Sequence, residues 1–107
     1  MLNKKIAIKK VTDFVKLCQE NHITFNKVIL FGSVVNGKVH RYSDIDVALI
    51  SDQFSGMPFA DGHMMTPIIT KRKDLIYIEP HPYSTKDFED GDPFIDVIKR
   101  TGIEIKI

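Results

Sequence analysis

Two acids and a glycine-serine turn carry the chemistry legible in this chain. Asp44 and Asp46 flank Ile45. In an extended segment both carboxylates project from one face and the isoleucine from the other, because side chains alternate along a strand. Carboxylates held that close repel, and one is pushed toward protonation unless something positive sits between them; a hard divalent cation such as Mg²⁺ is the usual remedy. Upstream, Gly32 and Ser33 follow the apolar run Lys27 to Phe31. A strand ending at a residue without a Cβ can turn tightly and present backbone N–H groups to an anion. The stretch therefore pairs a phosphate-sized turn with two metal-ready carboxylates.

Positioning these groups requires a strand on each side. Lys27 to Phe31 is the first. Asp44 to Ile50 is the second, apolar at nearly every position after the acids, as in a central strand buried on both faces. From Lys5 to Glu20, Ile8, Val11, Phe14, Val15 and Cys18 recur at three- and four-residue steps, the mark of an amphipathic helix over a core. Ser33 is an acceptable N-cap for a short helix. Ser51 to Thr70 contains Gly56, Pro58, Gly62 and Pro67 and reads as a loop with at most one short helical piece. Leu75 to Pro80 is a third strand, ended or confined to an edge by Pro80 and Pro82. Ser84-Thr85-Lys86-Asp87 resembles a capping box. Asp92-Pro93 starts a helix from Phe94 to Arg100 that Gly102 ends, and Ile103 to Ile107 alternates like a final strand with one wet face. This order predicts an α/β (α+β) fold, a small mixed sheet with helices packed mainly on one side.

At 107 residues there is room for one domain, spanning residues 1–107. Fifteen Lys and Arg against fourteen Asp and Glu leave a net charge of +1, so anion recognition must be local and nucleic acid is not an expected partner. The apolar runs are of strand length and the start Met-Leu-Asn-Lys-Lys lacks the apolar stretch of a signal peptide, so no membrane is expected and the cytoplasm is the default location. The single cysteine, Cys18, falls at a core position of the first helix and reads as packing.

Gly32-Ser33, then Gly37, then Ser43-Asp44-Ile45-Asp46, with strands on both sides, resembles the motif of the nucleotidyltransferase superfamily that includes DNA polymerase beta, and in particular its minimal nucleotidyltransferases. The resemblance implies a polymerase beta-like core and Mg²⁺-dependent transfer of a nucleoside monophosphate, AMP foremost, from a nucleoside triphosphate to an acceptor hydroxyl. It implies that Gly32 and Ser33 hold the phosphates with Ser43 in support, and that Asp44 and Asp46 bind metal. It also implies a small helical partner of the HEPN type, a toxin modified on tyrosine, for which this chain is the antitoxin. Self-association stays open. The alternative is a non-catalytic nucleotide-binding module that neutralises such a partner.

In-line transfer on two metals needs at least three carboxylates. In the family the third comes from a strand followed by a Ser-Pro-Glu-Glu-Phe-like helix start, and Ile78-Glu79-Pro80 through Ser84-Thr85-Lys86-Asp87-Phe88 fits that register, with Glu79 at the place of the usual aspartate. Asp74, entering the strand Leu75-Ile76, is the competitor. Lys38 and Arg41 are candidate partners for the triphosphate. His22, His40, His63 and His81 show no recognised ligand spacing, and His81, between two prolines, reads as a surface histidine near the third acid. Lys71-Arg72-Lys73 reads as a solvated turn.

Overall fold

The computed structural model describes residues 2–37 and 44–107. Its elements run α1 (Lys4–Glu20), β1 (Lys27–Phe31), α2 (Ser33–Asn36), β2 (Ile45–Ser51), α3 (Pro58–Ile69), a 3-10 turn (Lys73–Leu75), β3 (Ile78–Ser84), α4 (Thr85–Asp90), α5 (Pro93–Thr101) and β4 (Ile103–Glu104). The strands form one mixed sheet in the order β3-β2-β1-β4. β2 and β4 are both antiparallel to β1, and β3 is parallel to β2. A parallel pair needs a crossover of a dozen or more residues, and α3 supplies it.

Val28, Leu30, Val47 and Leu49 point to one face, where α1 contributes Val11, Phe14, Val15 and Cys18 and α3 contributes Met65 and Ile68. Ile29, Phe31, Ala48 and Ile50 point to the other face and meet Phe88 of α4 with Ile95 and Ile98 of α5. β2 is thus covered on both sides, which is why it reads as an unbroken apolar run. The Cys18 thiol is fully buried, and burial pushes its pKa up to about 12, so it packs as a small hydrophobe.

Local signals explain the ends. Asn3 caps α1 by accepting from the Ile6 N–H at 2.9 Å, Ser84 caps α4 from Asp87, and Asp92 caps α5 from Ile95 at 2.7 Å with Pro93 in the first turn.

Two expectations change. Ser51 to Thr70, read as mostly loop, contains the twelve-residue helix α3. Its proline signals mislead because Pro58 sits in the first turn, where no N–H is needed, and because packing of Met65 and Ile68 outweighs Gly62 and Pro67. The loop before it is tied down by the buried Asp61 carboxylate, which accepts from the Ser55 N–H and hydroxyl and from the Gly56 N–H at 2.8, 2.9 and 3.0 Å. β3, expected over Leu75 to Pro80, begins at Ile78 because Leu75 closes the 3-10 turn, and it runs through Pro80 and Pro82 to Ser84. Residues of even number share one backbone edge of a strand, so both prolines turn their missing donors the same way, and β3 lies at the sheet edge where that costs no ladder bond.

Candidate active site

Sheet register assembles the site. Phe31 of β1 stands opposite Asp46 of β2, and Asp46 opposite Glu79 of β3. His81, two residues beyond Glu79, shares its face. Ala48 and Ile50 continue the Asp46 row under α4 and α5, and the row emerges from that cover at Asp46.

His81 Nε2 lies 3.1 Å from Asp46 Oδ1 and 4.0 Å from Glu79 Oε1. A carboxylate only accepts, so Nε2 carries the hydrogen and donates to Asp46. The His81 ring stands edge-on to Phe31 at 5.0 Å between centroids, with Phe94 at 6.4 Å. Asp44, exposed at the entrance to β2, lies near enough for its charge to act on Glu79, but it stands outside the trio of ligand atoms formed by Asp46, Glu79 and His81. Burial raises the Glu79 pKa first, the Asp46 charge adds to it, His81 opposes it, and the Asp44 charge raises it again. With 54% of its side chain exposed, Glu79 feels these pushes through solvent screening. The arrangement is one of excess negative charge that a cation would relieve. One ligand atom from each of Asp46, Glu79 and His81 falls within 4.8 Å of the others, so the residues fit a metal ion.

Gly32 closes this site from β1. Its φ of 80° and ψ of −150° suit only glycine, and a Cβ there would stand 2.5 Å from Asp46 Oδ2. Expected as a helix cap, Ser33 is instead the first residue of α2, and Gly32 takes the cap position. The Gly32 carbonyl accepts from the Val35 and Asn36 N–H groups at 3.1 and 3.0 Å, while the N–H groups of Ser33 and Val34 belong to the first turn and lack intrahelical acceptors. Gly37 ends α2 at φ 75°, in open space. Ser43, with Lys38, His40 and Arg41, lies outside the described residues.

Asp74 takes no part in the cluster. It sits in the 3-10 turn with Arg72 at 3.0 and 2.6 Å, and Lys10 Nζ donates to its carbonyl at 2.8 Å. The Arg72 hydrogen bond holds its carboxyl below the usual range. Between the two competitors, Glu79 is the acid beside Asp44 and Asp46.

His81 departs from its expected place as a surface histidine. The signal was present: on a strand, Glu79 and His81 two apart must share a face. The prolines on either side hid it by arguing against a strand. Beside Glu79 and His81 a groove of about 490 Å³ runs past Pro80 and Pro82 to Phe59 of α3, a residue 82% exposed.

The family model described as "Nucleotidyltransferase domain" matches residues 11–105, most of the chain and every described residue of the cluster. Among solved structures, a "putative nucleotidyltransferase" from Sulfolobus solfataricus is similar at 21% identity and a TM-score of 0.52, with 97% of this chain and 89% of that one covered. At that identity the likeness shows the fold. No curated protein matches the chain. A Gly32 turn pressed against Asp46, an Asp46–Glu79 register across parallel strands, and the family match over those residues lead to one assignment: the chain belongs to the nucleotidyltransferase domain family.

Proposed function

We propose that the chain is a Mg²⁺-dependent nucleotidyltransferase that moves a nucleoside monophosphate, AMP foremost, from a nucleoside triphosphate to an acceptor hydroxyl. The observation that carries this reading is the pairing of Asp46 with Glu79 across β2 and β3, with Asp46 pressed against the Gly32 turn. Asp44, Asp46 and Glu79 would hold the metal, which when bound supplies charge compensation to the triphosphate and to the attacking oxygen. N–H groups at the start of α2, with the Ser33 hydroxyl, orient the β- and γ-phosphates, and Ser43 supports them. Glu79, whose pKa burial and the Asp46 charge raise from its ordinary value, is placed to take the acceptor's proton. The oxygen–phosphorus bond forms as the α–β phosphoanhydride breaks, and pyrophosphate leaves.

The acceptor approaches along the groove past Pro80 and Pro82. Exposed Phe59 and the neighbouring Pro58 flank its α3 side, which favours a protein acceptor over a small polar one. We take the acceptor to be a tyrosine of a small helical (HEPN-type) partner, with this chain in the antitoxin role, working in the cytoplasm. Among the described residues no helix is long and apolar enough to cross a membrane. The half-exposed Glu79, where the family carries aspartate, keeps one other reading in view: a nucleotide-binding module that neutralises the partner without turnover.

The test is incubation with the helical partner, Mg²⁺ and ATP labelled on either the α- or the γ-phosphate. The reading expects α-label on the partner and γ-label in pyrophosphate. Nucleotide binding with no label on the partner would favour the module, and no nucleotide binding would remove both.

A further inference from the structure

Nothing in the proposed transfer uses the His81 imidazole, yet its Nε2 faces the two strand carboxylates at 3.1 and 4.0 Å. Two donors bound to one ion at about 2.1 Å stand about 3.0 Å apart at a right angle and about 4.2 Å apart when opposite. Both His81 separations fall in that window. The widest separation in the cluster, within 4.8 Å, closes with a small movement of the half-exposed Glu79. The other two donors are already fixed. Asp46 lies on a central strand, and the His81 ring is braced edge-on against Phe31 with Phe94 beyond it. Ligands on rigid elements need little reorganisation to bind.

We propose that His81 is a nitrogen ligand of the cation held by Asp46 and Glu79, and that it shifts the site's preference from Mg²⁺ toward first-row transition ions. Mg²⁺ favours oxygen donors and keeps its waters, whereas imidazole adds affinity for ions that follow the order Mn²⁺ < Co²⁺ < Zn²⁺. Binding needs the neutral tautomer with its hydrogen on Nδ1, so that Nε2 exchanges a hydrogen bond to Asp46 for a bond to the shared ion. This inference rests on the reading that Asp46 and Glu79 hold a cation, and it adds a ligand which that reading does not require.

The test is direct binding to the nucleotide-free chain. Mg²⁺ and Co²⁺ are titrated by calorimetry, and the Co²⁺ complex is followed by its visible absorption, for the unmodified chain, His81→Ala, His81→Gln and Asp46→Asn. Thermal unfolding of each variant reports folding, and His81→Gln keeps a side chain against Phe31 if the alanine variant is unstable. The proposal expects Co²⁺ to bind more tightly than Mg²⁺. Removing the imidazole should weaken Co²⁺ by about tenfold or more, change its spectrum and leave Mg²⁺ nearly unchanged, while Asp46→Asn weakens both ions. Equal losses for the two ions in the His81 variants would mean that the histidine only braces Asp46, and would overturn the ligand role while leaving the transferase reading intact. No binding of either ion, with or without added nucleotide, would overturn both.

Discussion

Replacing Gly32 by alanine tests how tightly the phosphate turn and the metal carboxylate are built into one another. Two costs can be read from the structure. A backbone at φ 80° and ψ −150° is open to glycine and costs any other residue about 1–3 kcal/mol. The new Cβ would also stand 2.5 Å from Asp46 Oδ2, with Asp46 Cβ and Cγ at 3.3 Å. The carboxylate must then retreat by about 1 Å to reach ordinary contact, a displacement that costs roughly a hundredfold in rate at a reacting centre. At about 4–8 °C per kcal/mol for a domain of this size, the backbone term alone lowers Tm by about 4–24 °C. A double-mutant cycle separates the two costs. In an Asp46→Ala background the close oxygen is gone and only the Cβ contact at 3.3 Å remains, so Gly32→Ala should cost little beyond its backbone term, and the coupling should be about 1 kcal/mol. Thermal unfolding of the four chains and label transfer by Gly32→Ala are the assays. Zero coupling, or Gly32→Ala with normal transfer and normal Tm, would refute the reasoning.

Two further outcomes follow from buried or crowded carboxylates. Asp61→Ala strips three donors in the Ser55–Gly56 turn of their shared acceptor, which should cost about 2–3 kcal/mol by thermal or urea unfolding, with Asp61→Asn recovering part of the loss. For Glu79 the folded pKa is raised, so its contribution to stability is fully present below its ordinary value of 4.5 and is lost as pH rises through the raised value. Glu79→Gln should therefore be the more stable chain at neutral pH, by less than about 1 kcal/mol because water screens a half-exposed group. Unfolding scans should show that gap closing as the pH falls below 4.5, and a saturating divalent cation should narrow it by stabilising only the chain that keeps its carboxylate.

Much of the site was legible because its parts lie within one stretch or on a strand of simple period. The acid pair, the glycine turn and the apolar run after Asp46 are local, and period-two alternation places Asp46 on one face without knowledge of the fold. The choice between Glu79 and Asp74 was not local. It depended on the parallel register that sets Glu79 beside Asp46, and on Arg72, which engages Asp74 through a turn no periodicity announces. His81 and α3 are obscured in the sequence for a shared reason: proline reads locally as a breaker. Pro80 and Pro82 are harmless on an outer edge, and Pro58 is harmless in a first turn, but edge and turn are properties of the assembled sheet. Helices on the second face were equally hard to foresee, since Phe88, Ile95 and Ile98 form a short apolar stripe whose partner, the Ile29 to Ile50 face, is visible only once the strands are ordered.

The central claim is that Asp46, and not Asp74, belongs to a nucleotidyl-transfer site. The most direct measurement compares transfer of α-phosphate label from ATP to the helical partner by the unmodified chain, Asp46→Asn and Asp74→Asn under the same Mg²⁺ concentration. The account predicts full transfer by the unmodified chain, transfer by Asp74→Asn within about twofold of it, and a fall of at least about a hundredfold for Asp46→Asn. Transfer that survives Asp46→Asn, or that is lost in a folded Asp74→Asn chain, would contradict it.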